Sequence, residues 1–409
     1  MIFAALIFAA ALLVLALKDL KRALQCLVIL LPTYLLRFKI GPLPSTFLEL
    51  AFGIVFLVWL FRYFVDDIAD LIQSYRRQKT FFTFVAVFFV GSFISIFISD
   101  MQWFSFGQWR AYFLEPMLLF MVLVARRNHI STRDLVLPLG LSTLGISVFG
   151  IFQKLTGFTL PDDGRMTSFY TSPNAVGLYL APALLLFVSE TKNFFSSNNK
   201  YLKALPYFVF ALAALAVLFS GSLGTMVGLG AATILLLTLF HKKQIAAGLI
   251  VTVLCAAFVV PSTRNFITSK DRSSGNRLTL WTYSWEYLTS SPKNFVFGTG
   301  VRQFFRKIQK PEYNPKQMER LIYPHNIFLN FWTETGLIGL IGFVGIFAYL
   351  SLFSWRILQG NRLVGAACLG TLAVILVHGL VDVPYFKNDL SMMFWIIAAI
   401  ILNERTRLV

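Results

Sequence analysis

Long apolar runs separated by short polar connections make up most of this chain. Thirteen such runs stand at 1–17, 23–36, 46–64, 80–99, 108–125, 134–152, 174–189, 204–220, 222–240, 244–261, 335–354, 363–381 and 389–403. Most have about the length that carries a helix across a bilayer core. Lipid offers the backbone no hydrogen-bond partner, so each run must satisfy its own groups as helix. The pattern predicts an all-α polytopic membrane protein, one domain over 1–409, with about 12–13 transmembrane helices. The second run is short, and the eighth and ninth meet at a tight Ser220-Gly221-Ser222 turn. The rhythm breaks once, in a long polar loop at 262–334.

Composition agrees with this pattern. Hydrophobic residues make up 57% of the chain, the mean hydropathy is +0.71, and charged residues are 13%. That is about half the charged share of a soluble domain, which excludes a soluble enzyme. Cys26, Cys255 and Cys368 all lie inside apolar runs. They read as small packing residues and allow no disulfide framework or zinc spacing. The first run has no basic segment before it and no small-residue cleavage pattern, so it reads as a retained span.

The net charge of +17 changes the picture through its placement. Alternate connections carry Lys18, Lys21 and Arg22, then Arg76, Arg77 and Lys79, then Arg126, Arg127 and Arg133, and the series continues to Arg405 and Arg407. The opposite short connections hold only Arg37, Lys39, Arg110, Lys154, Arg165 and Lys387. By the positive-inside rule the N-terminus is outside and the C-terminus cytoplasmic. Basic residues set out in this way report topology and not a nucleic-acid partner. The 262–334 loop then falls on the outer face, yet it is itself basic. An anionic ligand explains this, and so does attraction to lipid phosphates.

Several residues in and near that loop are candidates for chemistry. Leu278, Trp281, Trp285 and Leu288 recur on one helical face, as in a helix lying in the membrane interface. Asn276 is placed to cap it, which puts Arg277 in the first turn. An arginine there suits a bound anion or snorkels to lipid phosphate. Gly298-Thr299-Gly300 forms a turn open to close backbone approach. His325 heads the next apolar helix, where the helix N-terminus favours a neutral imidazole fit for a general base. Asn326, Asn330 and Thr333 follow as a polar stripe. Glu334 serves as an arginine partner or a packing anchor. Arg165 stands before a Ser172-Pro173-Asn174 helix start and offers a two-point phosphate clamp, or it pairs with Asp162 or Asp163. His378 and Asp382 stand four apart on one helix end, where they form an ion pair or a site that orients an arginine. No P-loop, dinucleotide fingerprint or metal-protease motif is present, and no acidic cluster resembles a metal cage.

Arg165 with Ser172-Pro173-Asn174, Arg277 with Trp281 and the Gly-x-Gly turn, and His325-Asn326 with Leu329, Glu334, Gly336 and Gly339 together resemble the O-antigen ligase and polymerase superfamily of bacterial membrane glycosyltransferases. The likeness runs from about Arg165 to Asp382. It implies a GT-C-like, inverting, metal-independent enzyme without cofactors. The implied donor is an undecaprenyl-pyrophosphate-linked glycan and the acceptor a glycan or lipid, on the outer face of the inner membrane among membrane lipids. It further implies pyrophosphate binding by Arg165 and Arg277, His325 as base, and support from Asn174, Asn326, Glu334 and Asp382. One departure stands out: many members carry Ser-Arg-Gly where this chain has Ser220-Gly221-Ser222. Ligase and polymerase share this site chemistry. A transporter is a rival reading from another class, but it favours ionisable residues at the membrane midplane, and here they gather at the ends of runs.

Overall fold

The computed structural model describes residues 2–41, 43–250, 272–309 and 321–408. Cys255, most of the run expected at 244–261, and loop residues 262–271 and 310–320 lie outside them. The first helices are α1 (Ile2–Lys18), α2 (Leu20–Ile29), α3 (Phe47–Arg62), α4 (Phe64–Arg77), α5 (Lys79–Ile98), α6 (Gln102–Trp109), α7 (Glu115–Ala125), α8 (Thr132–Thr156), α9 (Pro173–Phe187), α10 (Thr191–Phe195), α11 (Lys200–Ser220) and α12 (Leu223–Leu239). After the gap come α13 (Arg272–Thr289), α14 (Pro292–Phe297), α15 (Phe304–Lys307), α16 (Ile327–Gly360), α17 (Arg362–Gly379) and α18 (Asn388–Leu408). The chain is an all-α polytopic membrane-type fold with one two-stranded hairpin, β1 (Arg37–Ile40) against β2 (Leu43–Thr46).

Among the described residues, six helices are long and apolar enough to cross a membrane unaided, fewer than the runs suggest. Helices α1 and α12 are apolar but shorter, and α3 passes only together with α4, at a 97° bend. The run at 23–36 is not one helix. It passes from α2 into a 3-10 turn at Leu31–Leu35 and on into the hairpin. Pro32, which has no N–H to donate, stands at that change. The run at 108–125 belongs to a longer rod, Gln102–Ala125, with a π turn at Arg110–Leu114. Pro116 cannot donate to the Tyr112 carbonyl, and the Tyr385 hydroxyl donates to it instead (2.8 Å). Helix α4 was not foreseen. It lies where the pattern shows only a connection.

The alternation of charge has a structural counterpart. Asp67, at the start of α4, takes Arg126 at 2.9 Å, and Lys21 meets Asp134 at 2.7 Å. Those basic ends gather at one end of the bundle. The opposite ends of α3, α5, α9, α11, α12, α16, α17 and α18 converge on the candidate site. Close helix contacts set that geometry. A Cβ on Gly91 of α5 would lie 2.4 Å from Gly339 N of α16, and one on Gly342 would lie 2.4 Å from Phe88 N. Without side chains at these points the two backbones approach directly, the usual way membrane helices pack.

Candidate active site

Helix α16 breaks at Gly336 (φ 71°, ψ 179°). The run expected at 335–354 starts at this break, so Ile327–Thr335 is a separate half-helix. Asn326 caps it, accepting from Phe328 N and Leu329 N at 3.1 Å each. Its amide also donates to the Leu380 carbonyl (3.1 Å), drawing the connection after α17 over the site. The expected role of Asn326 is therefore a cap and a tether. His325, one residue before the cap, has φ 52°. This left-handed conformation costs energy for a residue other than glycine and turns the ring off the helix axis.

The ring meets Asp382. His325 Nδ1 lies 3.2 Å from Asp382 Oδ1. Asp382 Oδ2 accepts from Asn174 Nδ2 at 3.3 Å, and Asn174 Oδ1 accepts from Arg165 Nη2 at 3.1 Å. Four residues from three distant parts of the sequence form one hydrogen-bonded line, Arg165–Asn174–Asp382–His325. Spacing had suggested a His378–Asp382 pair. Helix α17 ends at Gly379, so Asp382 leaves that face, while His378 stays buried beside Gly224. Burial on its own would raise the Asp382 carboxyl. The hydrogen bond and charge of His325, the charge of His378 and the Val383 N–H outweigh it and hold the group well below the usual carboxylate range. Asp382 is thus an anion facing His325.

The Arg165 guanidinium does not pair with Asp162 or Asp163. Asp163 accepts from the Arg165 backbone N–H (3.0 Å). The side chain lies on the Ser220-Gly221-Ser222 turn, with Nε donating to Ser220 O (2.9 Å) and Nη2 to Gly221 O (3.3 Å). With Nε and Nη2 engaged, a two-point clamp on phosphate requires Arg165 to give up one of these carbonyls.

Helix α13 begins at Arg272, so Asn276 is not its cap and Arg277 lies in the second turn. The free N–H groups invoked for an anion there are not beside Arg277. Its position comes from packing. Trp281 Nε1, one turn on, donates to Pro324 O (2.8 Å) and ties the helix to the residue before His325. Arg277 Nε is buried and, among the described residues, has no hydrogen-bond partner; the charge of Arg277 acts on His378. The expected apolar face divides. Leu288 is buried, whereas Leu278 and Trp285 are 46% and 53% exposed, as an interfacial helix requires.

Glu334 is fully buried, and its Oε2 accepts from the Arg302 backbone N–H (2.7 Å) and not from a guanidinium. Among the described residues, Glu334 Oε1 and both amide atoms of Asn330 have no hydrogen-bond partner. The Gly298-Thr299-Gly300 turn does approach backbone closely. Thr299 N donates to Thr333 O (2.7 Å), and a Cβ on Gly336 would lie 2.4 Å from Val296 O. These residues brace the half-helix that carries His325. Sequence reasoning passed over Trp281 as a tether and Tyr170, whose hydroxyl donates to Asp389 at 2.9 Å. Among the described residues, no group of three or more His, Cys, Asp or Glu is placed to hold a metal ion.

One family model, described as O-antigen ligase, matches residues 208–344. The resemblance to the O-antigen ligase superfamily holds. The matched third of the chain, roughly, runs from α11 through the half-helix and so includes Arg277, His325 and Glu334. Arg165, Asn174 and Asp382 lie outside the match and join the site through hydrogen bonds. None of the curated proteins compared with the chain matches it. Together with the apolar helices, the O-antigen ligase match supports a multi-pass bacterial membrane protein with glycosyl transfer of the ligase or polymerase type as its general activity.

Proposed function

We propose that the chain is an inverting, metal-independent glycosyltransferase. It moves a glycan from an undecaprenyl-pyrophosphate donor to an acceptor hydroxyl on the outer face of the inner membrane. The observation that carries this reading is the line Arg165–Asn174–Asp382–His325. Asp382 holds His325 by Nδ1, which leaves Nε2 to receive a proton. The acceptor oxygen attacks the anomeric carbon from the face opposite the pyrophosphate and inverts it. The acceptor proton passes to His325 Nε2, and the imidazolium is stabilised by the Asp382 carboxylate. The glycosidic C–O bond breaks, and its electron pair leaves with the pyrophosphate. Arg165 and Arg277 stabilise that added charge, the role a metal ion plays in other transferases.

Asn326 and Glu334 support the site indirectly, by capping and bracing the half-helix. The test is reconstitution of the purified protein with a lipid-linked glycan, in buffer containing a chelator. Transfer should persist without divalent cations. A single transferred glycan indicates a ligase, and a ladder of products indicates a repeat-unit polymerase. No transfer to any acceptor, or a strict Mg²⁺ or Mn²⁺ requirement, overturns the proposal.

A further inference from the structure

Helix α4 has three distinct sides, and the bundle uses only one of them. The side that meets the bundle is polar. Asp67, Asp70 and Ser74 fall at i, i+3 and i+7, one line along the helix. Asp67 Oδ2 accepts from Arg126 Nη1 and from Trp59 Nε1 (2.9 Å each). Asp70 Oδ1 accepts from Arg127 Nη2 (2.8 Å), and Ser74 Oγ accepts from Arg127 Nη1 (2.6 Å). An amphipathic helix of a soluble protein turns its apolar stripe to the core. Here charged hydrogen bonds do the docking, and apolar side chains are left on the outside. Val65 is 84% exposed, and Ile72 and Tyr75 are exposed on the same side. Phe61, just before the bend from α3, is 81% exposed. The third side is polar and exposed, with Asp66, Gln73 and Arg77 at i, i+7 and i+11.

The direction of α4 indicates what covers the apolar side. It leaves α3 at 97°. Helix α3 is apolar and packs on α1 and α7 within the bundle, so an axis at right angles to it runs along the membrane plane. The acids and arginines of α4 keep it out of the hydrocarbon itself. A helix lying at this level has protein on one side, lipid on another and water on the third, and the three sides of α4 match those surroundings. Cations frame the apolar stripe: Arg62 stands before it, and Arg76, Arg77 and Lys79 stand at its far end, all exposed. Asp66 is the one exposed acid of the helix. We propose that α4 is an in-plane membrane-binding helix. Its Val65, Ile72 and Tyr75 side sits in the bilayer interface, and its flanking arginines meet the phosphates of an anionic phospholipid surface. That surface lies at the end of the bundle opposite the candidate site, so the inference holds whatever reaction that site carries out.

The test places dansylalanine, incorporated genetically, at Val65, Ile72 or Gln73 of the full-length protein. Each variant is studied in nanodiscs of equimolar phosphatidylcholine and phosphatidylglycerol. The quenchers are iodide in the water and a nitroxide near the headgroup end of the acyl chain of one lipid or the other. Dansyl at Val65 and Ile72 should be quenched by the lipid nitroxide and shielded from iodide, and dansyl at Gln73 should behave in the reverse way. Nitroxide carried by phosphatidylglycerol should quench dansyl at Ile72 about twofold or more better than nitroxide carried by phosphatidylcholine. Arg76→Gln/Arg77→Gln should remove most of that preference. Should the Val65 variant fail to fold, the Ile72 and Gln73 pair carries the same comparison. Iodide quenching at Val65 and Ile72 as strong as at Gln73 puts the helix in water and overturns the inference. So does shielding of Val65 and Ile72 from both quenchers, the mark of a side covered by protein such as a second copy of the chain. Equal quenching by the two lipids overturns the anionic contact.

Discussion

Asp382→Asn tests the central line of the site with the least change of shape. Asp382 Oδ1 accepts from His325 and Val383, and Oδ2 from Asn174. An amide satisfies only one side of this arrangement. With its NH2 toward Asn174 it meets another donor, and Asn174 cannot flip without turning its own NH2 toward Arg165. With its NH2 toward Val383 and His325 it meets the Val383 N–H and makes Nδ1 an acceptor. That moves the imidazole proton to Nε2, where the base needs its lone pair. One buried donor is mismatched either way, at a cost of about 1–3 kcal/mol in stability. Turnover should fall about 10²–10⁴-fold, the range for a positioned base, or about 2.7–5.5 kcal/mol of barrier. The sign with pH follows from the depressed Asp382 carboxyl. Its contribution to stability is complete above the ordinary value of about 3.9 and is lost as pH falls through the folded value. Asp382 therefore adds no pH dependence of its own above about pH 5. The assay is single-turnover transfer from a labelled lipid-linked glycan, with donor binding measured beside it. The Asp382→Asn/His325→Ala double variant should be about as slow as His325→Ala alone, since the two act as a unit. Turnover of Asp382→Asn within about threefold of wild type would refute the orienting role.

Three further outcomes are expected. Arg277→Lys should bind donor about tenfold or more weakly and should be little better than Arg277→Ala in a donor-binding titration, because lysine lacks the planar fork. Gly298→Ala should destabilise the protein by about 3 kcal/mol or more, read as thermal unfolding in detergent. Its backbone lies at φ 66°, ψ −150°, and the added Cβ would stand 2.4 Å from Thr333 O. A reporter active only outside the inner membrane should be active when fused near Asn314 and inactive near Asn198; the reverse would place the site on the cytoplasmic side.

The helices were largely legible because lipid imposes one solution on a long apolar run. Places where a single residue redirects the chain were not. Pro32 and Pro116 change the hydrogen-bond pattern inside runs that stay predominantly apolar, so hydropathy does not register the hairpin or the π turn. Helix α4 mixes acids and bases and reads as a connection, until Asp67 and Asp70 bind the buried Arg126 and Arg127 (2.9 and 2.8 Å). His325 was legible as an unusual residue at a helix start, and Arg277 as a cation on an interfacial helix whose start lies five residues earlier than expected. The partner of His325 was not, because the i, i+4 rule assumes a helix that continues, and α17 stops at Gly379.

The Ser220-Gly221-Ser222 turn has a consequence for how such sites vary between relatives. A Cβ on Gly221 would stand 3.3 Å from Arg165 Nε. A side chain at 221 would therefore press on the present pose of Arg165, on a backbone at φ 60° that favours glycine. The positive charge that lies against this turn is that of Arg165, 56 positions earlier in the chain, whose Nη2 donates to Gly221 O. Aligned column by column, such sequences record a lost arginine at one position. Seen in space, the turn still has a guanidinium against it, that of Arg165, seated on the Ser220 and Gly221 carbonyls.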